Sequence, residues 1–324
     1  MSVRGGGLEA TTVDVEVRKP RALNSRSVFM PFAPASSAEF AKVLVGAEEL
    51  RHLGFQVADS TPLTPDGYFA GSLAGRRAEL LSEIERDDVD ALVAIRGGYG
   101  SNYLLDGLTI ERAGAPKVIL GYSDLTSLQA YLWKRYAWIG FYGPMLAAGL
   151  DAGEGVSNGY DRESLLAAVG KTDSGWTINL RGVTMAGGEA AGRVLGGCMT
   201  LVETTLGTPW ELDTRGSILL LEDRGMKPWQ VDRALMHLKQ AGKFEGVRGF
   251  VLGEFPDCGP PMSGSASVRD VCTRILGALG VPIVYGAAVG HTPRPMLTLP
   301  LGVKAHLKAS GEGELEILEP AVVL

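Results

Sequence analysis

Residues 117–131, KVILGYSDLTSLQAY, place a buried strand, a sharp turn and the start of a helix in one short segment. Val118, Ile119 and Leu120 form an apolar run suited to a strand covered on both faces. Gly121 permits a turn that a β-carbon would resist. Leu125, Leu128 and Leu132 then recur at helical spacing, so Ser123 and Asp124 fall where the strand ends and the helix begins. A hydroxyl there stands among unpaired backbone N–H groups in a field that favours negative charge, the environment of an acyl-transfer nucleophile. Both residue types are also preferred N-caps. On this segment alone two readings stand: a helix cap, or a nucleophile on an elbow that lacks the full G-x-S-x-G pattern.

Upstream, the strand–helix pattern repeats. Val28–Phe32 reads as a first strand, in which Pro31 removes a ladder donor and so implies an edge position or a bend. Ser36-x-x-Glu39 forms a capping box ahead of Phe40, Val43, Leu44, Ala47 and Leu50, an amphipathic helix, and Phe55–Ala58 is a short second strand. Residues 72–86 predict a helix with Leu73, Leu80, Leu81 and Ile84 inward and a charged face in solvent. Asp90–Ile95 is a near-continuous apolar strand ending in Arg96-Gly97-Gly98-Tyr99-Gly100. Ile139–Tyr142 adds a strand before the turn at Gly143-Pro144. This alternation predicts an α/β protein whose N-terminal sheet is mostly parallel and flanked by helices.

The composition turns polar near residues 170–175, which divides the chain into an N-terminal α/β domain, 27–170, and a C-terminal α/β domain, 171–324, expected to be the smaller. Strands are expected at Ser217–Leu221, Phe250–Leu252 and Ile283–Tyr285, and helices from Pro228 and over Val268–Leu279. Val303–Leu307 and Leu315–Leu318 alternate like a terminal hairpin. Residues 1–26 carry no periodicity and read as a poorly ordered lead-in.

Of the 324 residues, 45% are hydrophobic and 21% charged, which describes a soluble globular protein, and a formal charge of −6 argues against nucleic acid as a partner. No apolar run approaches the roughly 20 residues of a membrane span, and the N-terminal stretch lacks the apolar core of a secretory signal. A cytoplasmic location without a membrane partner is the expectation. Cys198, Cys258 and Cys272 are widely spaced and odd in number, and the four histidines form no metal-binding motif. A mechanism without metal or other cofactor follows as the expectation.

Three further features stand at ends of predicted strands, where open α/β sheets build their sites. The RGGYG turn brings backbone N–H groups close to a substrate oxygen or is a tight turn only; it fits no nucleotide-binding pattern. Glu222 closes the apolar strand at Ser217, where it requires a partner, with a local ion pair to Arg224 as the plainer reading. His291 lies in a Gly- and Pro-flanked loop after a predicted strand, whereas His52 and His237 lie in amphipathic helices and His306 in the terminal hairpin. Ser123, Glu222 and His291 have the composition of a Ser-His-acid triad, in which imidazole takes the serine proton and the carboxylate fixes its tautomer.

RGGYG, GYSDLT, GRVLGGCMTLVETTLGTPWE, LLLEDRG with VDRALMHLKQAGKFEGVRGFVLGEF, and GHTPRPMLTLPLG occur in this order over residues 27–308. Together they resemble the LD-carboxypeptidases, serine peptidases that include muramoyl-tetrapeptide carboxypeptidases and microcin C immunity proteins. The resemblance implies Ser123 as nucleophile, Glu222 and His291 as its partners, and the backbone N–H groups of Asp124 and Gly98 as the oxyanion hole. It further implies a site between two domains and a homodimer. The activity it implies is hydrolysis of an L,D peptide bond, releasing D-alanine from cytoplasmic murein tetrapeptides in peptidoglycan recycling. Other members act on acyl-adenylate-like compounds, so an aminoacyl-nucleotide substrate is the alternative; Trp176 would then stack on the nucleobase, or else packs across the domain boundary. Arg224 and Arg294, beside the proposed acid and base, are candidates for binding the substrate carboxylate. A two-domain small-molecule-binding protein without turnover is the third reading. Pro31, Met226, Trp229 and Thr292 depart from the family pattern; none touches the triad, and they bear on the substrate.

Overall fold

The computed structural model describes residues 16–110, 115–262 and 264–324. Apolar runs of the first half become β1 (Val28–Phe32), β2 (Gln56–Val57), β3 (Ala91–Ala94), β4 (Val118–Gly121) and β5 (Gly140–Tyr142). Helices α1 (Phe40–His52), α2 (Leu73–Glu85), α3 (Asn102–Leu105) and α4 (Leu125–Tyr136) separate them. The five strands pair in parallel in the order β2-β1-β3-β4-β5. β3 and β4 are buried at every position because helices cover both faces. The order reverses between β1 and β3, and the loops after those two strands are bonded to each other at their carboxyl ends, the Ser36 N–H donating to Gly97 O. Pro31 is accommodated because β2 pairs only with Val28 and Phe29 and has ended where the missing N–H would point.

After α5 (Arg162–Gly170) the chain builds a second sheet from β6 (Trp176–Asn179), β7 (Val183–Ala186), β8 (Gly188–Cys198), β9 (Ser217–Glu222), β10 (Gly249–Gly253) and β11 (Ile283–Ala287). α6 (Met199–Thr204), α7 (Pro228–Gln240) and α8 (Val268–Leu276) connect its parallel centre, β8-β9-β10-β11. β12 (Leu299–Leu301), β13 (Lys304–Ala309) and β14 (Glu314–Ile317) end the chain, the last two as the expected hairpin. The second sheet has eight strands against six in the first. β12 does not stay with its neighbours in sequence: it pairs antiparallel with β5, so residues 171–324 also supply an edge of the N-terminal sheet.

Three local expectations are corrected. Ser36 does not cap α1, whose N-cap is Glu39 without a side-chain bond; the Ser36 hydroxyl instead accepts the Tyr99 N–H. On α2, Leu73 is exposed and Arg76 takes an inward position beside Leu80 and Ile84. Of the lead-in, residues 1–15 lie outside the described residues, while 16–26 lie against the fold: Leu23 is buried, and Arg18 and Ala22 donate to the carbonyls of Ala137 and Val323.

Candidate active site

The turn that carries Ser123 is built by close packing. A β-carbon on Gly121 would lie 2.4 Å from Leu125 Cδ2 and 3.2 Å from Met145 Cγ, so glycine lets α4 start this close to β4 without displacing those side chains. The turn then forces Ser123 to φ +62°, a left-handed conformation that costs a non-glycine residue about 1–2 kcal/mol. Neither Ser123 nor Asp124 caps α4 with its side chain, which removes the cap reading. The Asp124 carboxylate turns inward and accepts the Ser101 N–H at 2.7 Å. Its own N–H and that of Gly98 have no hydrogen-bond partner among the described residues. A β-carbon on Gly97 would meet Ser123 Oγ at 3.2 Å and Asp124 N at 3.5 Å, so the RGGYG backbone lies against Ser123.

Strand β9 is buried throughout and delivers Glu222 at 0% exposure. A carboxylate so placed needs every lone pair direction answered. Tyr142 OH donates to Oε1 at 2.6 Å, and the His291 backbone N–H donates to Oε2 at 2.9 Å. His291 Nδ1 lies 2.9 Å from the same Oε2, which places the ring proton on Nδ1 and leaves Nε2 as the free base. Gly290, at φ +62°, makes this approach possible, since its β-carbon would lie 2.4 Å from Glu222 Cδ. Burial, the largest influence on His291, disfavours the charged ring, but the charge and hydrogen bond of Glu222, with Asp223 behind it, outweigh burial and raise its pKa above the ordinary value. Tyr142 also accepts the Ser123 N–H at 3.3 Å, so one phenol links Glu222 to the turn that carries Ser123. Tyr142→Phe is expected to lower stability by about 2 kcal/mol, because a buried carboxylate oxygen loses its donor. Denaturant unfolding of the variant checks this.

Ser123 and His291 line one cleft of about 620 Å³ between the two sheets, together with Gly97, Gly98, Cys198 and Asp223. No hydrogen bond joins Ser123 Oγ to His291 among the described residues; such pairs commonly tighten only when substrate binds. Cys198 N–H donates to Thr126 Oγ1 at 3.0 Å across the same junction, tying β8 to α4. Arg224 lines the cleft, with Nε 2.9 Å from Asp257. Arg294 does not: its guanidinium is held by Glu254 and by the carbonyls of Arg181 and Gly286. Trp176 lines a separate depression, beside Lys171 and Arg181, that shares no residue with the cleft. The cations missed from the sequence are Lys42 and Arg96, both in the cleft wall. Arg96 opens the RGGYG motif and was legible as such; Lys42 carried no signal beyond its helix. Among the described residues no three His, Cys, Asp or Glu side chains are grouped to hold a metal ion.

Models of the LD-carboxypeptidase N-terminal and C-terminal domains match residues 31–143 and 191–307. The chain belongs to the LD-carboxypeptidase family. It is 32% identical over 296 residues to a "Probable murein peptide carboxypeptidase" of Bacillus subtilis, covering 90% of this chain and 92% of that one. A structure of the microcin C7 self-immunity protein MccF in complex with aspartyl sulfamoyl adenosine superposes with a TM-score of 0.83 at 25% identity, over 94% of this chain and 99% of that one. A muramoyltetrapeptide carboxypeptidase from Oxalobacter formigenes gives a TM-score of 0.79 at 25% identity, over 90% and 99%. This LD-carboxypeptidase is therefore a hydrolase of the carboxypeptidase kind; Ser123 lies in the first matched domain, and Glu222 and His291 lie in the second. No helix among the described residues is long and apolar enough to cross a membrane.

Proposed function

We propose that the protein is a cytoplasmic, metal-independent serine carboxypeptidase, acting as a homodimer, that hydrolyses the L,D peptide bond of murein tetrapeptides and releases D-alanine for peptidoglycan recycling. The observation that carries this reading is the buried Glu222 bonded to His291 Nδ1 in the cleft that also holds Ser123 on its strained turn. Ser123 Oγ attacks the scissile carbonyl carbon while His291 Nε2 takes its proton. The tetrahedral oxyanion is held by the Gly98 and Asp124 N–H groups. His291 then gives the proton to the departing amine of D-alanine, leaving an acyl-serine that water hydrolyses by the same route in reverse. Glu222 holds the imidazole tautomer and stabilises the imidazolium throughout. Lys42, Arg96 and Arg224 stand in the cleft wall beside Glu39 and Asp223 and are the cations there that a terminal carboxylate could pair with.

The likeness to the microcin C7 self-immunity protein supports an aminoacyl-nucleotide substrate as the second reading. Trp176, the residue proposed to stack on a base, lies outside the cleft, which favours the murein peptide. Release of D-alanine from UDP-MurNAc-tetrapeptide tests the first reading, and hydrolysis of aspartyl sulfamoyl adenosine the second. A binding protein without turnover would show neither.

The base works only when unprotonated. With the His291 pKa raised, kcat/KM is expected to climb with pH through a midpoint above the ordinary imidazole value of about 6.5. A pH–rate profile with its acid limb below that value would contradict the Glu222–His291 coupling.

A further inference from the structure

Arg76 lies on α2 and is only 1% exposed. Burying a guanidinium is costly unless its donors are used. Here Nε donates to Gly71 O at 3.1 Å, and Nη1 donates to Pro34 O at 2.5 Å and to Gly100 O at 2.8 Å. Its flat face lies 4.7 Å from the centre of the Phe69 ring. One side chain thus joins the loop after β1, the residue before the N-cap of α2, and the RGGYG loop after β3.

Asp124 grips the same loop from the opposite side. It is 1% exposed; Oδ2 accepts the Ser101 N–H at 2.7 Å and its main-chain carbonyl accepts the Ser101 hydroxyl at 2.5 Å. Ser36 supplies a third hold, accepting Tyr99 N–H and donating its own N–H to Gly97 O, both at 3.2 Å. The packing leaves little slack: a β-carbon on Gly98 would lie 2.5 Å from Ser36 Oγ, and one on Gly100 would lie 2.8 Å from Phe69 and 3.0 Å from Arg76 Nη1. A loop with glycine at 97, 98 and 100 has no conformational preference of its own to hold the Gly98 N–H in place.

We propose that Arg76 and the Asp124 side chain are positioning residues that set the oxyanion hole by clamping the 96–101 loop to the nucleophile turn. Asp124 then serves twice, its N–H as one donor and its carboxylate as the anchor for the loop that carries the other. The proposal rests on the serine-hydrolase reading above.

The test compares Asp124→Ala, Asp124→Asn, Arg76→Lys and Ser36→Ala by D-alanine release and by affinity for a peptide boronic acid that mimics the tetrahedral intermediate. Asp124→Ala is expected to lower kcat and boronate affinity in parallel, by on the order of 10², with KM within about threefold of wild type. Asp124→Asn keeps an acceptor for the Ser101 N–H and is expected to recover to within about tenfold of wild type, with Arg76→Lys between the two. Ser36 is half-buried at the loop's outer side, so Ser36→Ala keeps the test open if Asp124→Ala does not fold; its kcat is expected to fall about tenfold with KM unchanged. Wild-type kcat in Asp124→Ala or Ser36→Ala, beside an inactive Ser123→Ala, overturns the clamp and leaves the serine reading standing. Activity surviving in Ser123→Ala overturns the serine reading itself.

Discussion

Ser123→Ala is expected to lower kcat for D-alanine release by on the order of 10⁶ while KM changes little, the loss seen when the nucleophile of a Ser-His-acid set is removed. The size follows from what the hydroxyl does. In the proposed mechanism it forms the covalent bond of the acyl-enzyme, and Cys198, which also lines the cleft, is a poor replacement: it is buried, and burial with the neighbouring carboxylates of Glu222 and Asp223 raises its thiol pKa well above the ordinary value. Residual turnover would come from the N–H groups of Gly98 and Asp124 and from substrate binding. Side-by-side assay with wild type, and labelling of wild type by a serine-reactive phosphonate, check the assignment. Labelling at any residue other than Ser123, or near-normal turnover in the variant, would remove Ser123 from the mechanism.

Glu222→Gln is expected to lower kcat by on the order of 10⁴, with its pH dependence altered in a defined direction. An amide can accept the His291 N–H groups only by turning its NH₂ toward the Tyr142 hydroxyl, which now donates to Glu222 Oε1. The imidazolium loses its buried counter-charge, while burial, the opposing influence, stays. The His291 pKa therefore falls, and the acid limb of kcat/KM moves to lower pH as the maximum rate drops. A variant with reduced rate and an unmoved acid limb would mean that Glu222 acts on position alone.

Much of this molecule was legible in local patterns. The three-residue apolar run ending at Gly121 and the leucines after it mark β4 and α4, and the strand ending at Glu222 is readable for the same reason: a buried parallel strand tolerates little but aliphatic residues, so a terminal glutamate stands out. Local rules failed where a side chain's partner lies far along the chain. Ser36 has the spacing of a capping box, yet Tyr99, 63 residues away, takes its hydroxyl. Arg76 sits among the charges of α2 and looks like surface, but carbonyls 24 and 42 residues distant draw it into the interior. Arg294 follows His291 in sequence, yet its guanidinium is held by Glu254 and does not line the cleft.

By itself the sequence determined the alternation of strands and helices, the glycine turns, and which serine, glutamate and histidine stand at strand ends, because periodicity and backbone sterics act between near neighbours. Only the tertiary structure decided that β12 crosses back to the first sheet, that Tyr142 joins Glu222 to the Ser123 turn, and that Arg76 and Asp124 close on one loop. Each of these is a pairing of buried polar groups whose partners are chosen by packing, and spacing along the chain carries no record of that choice.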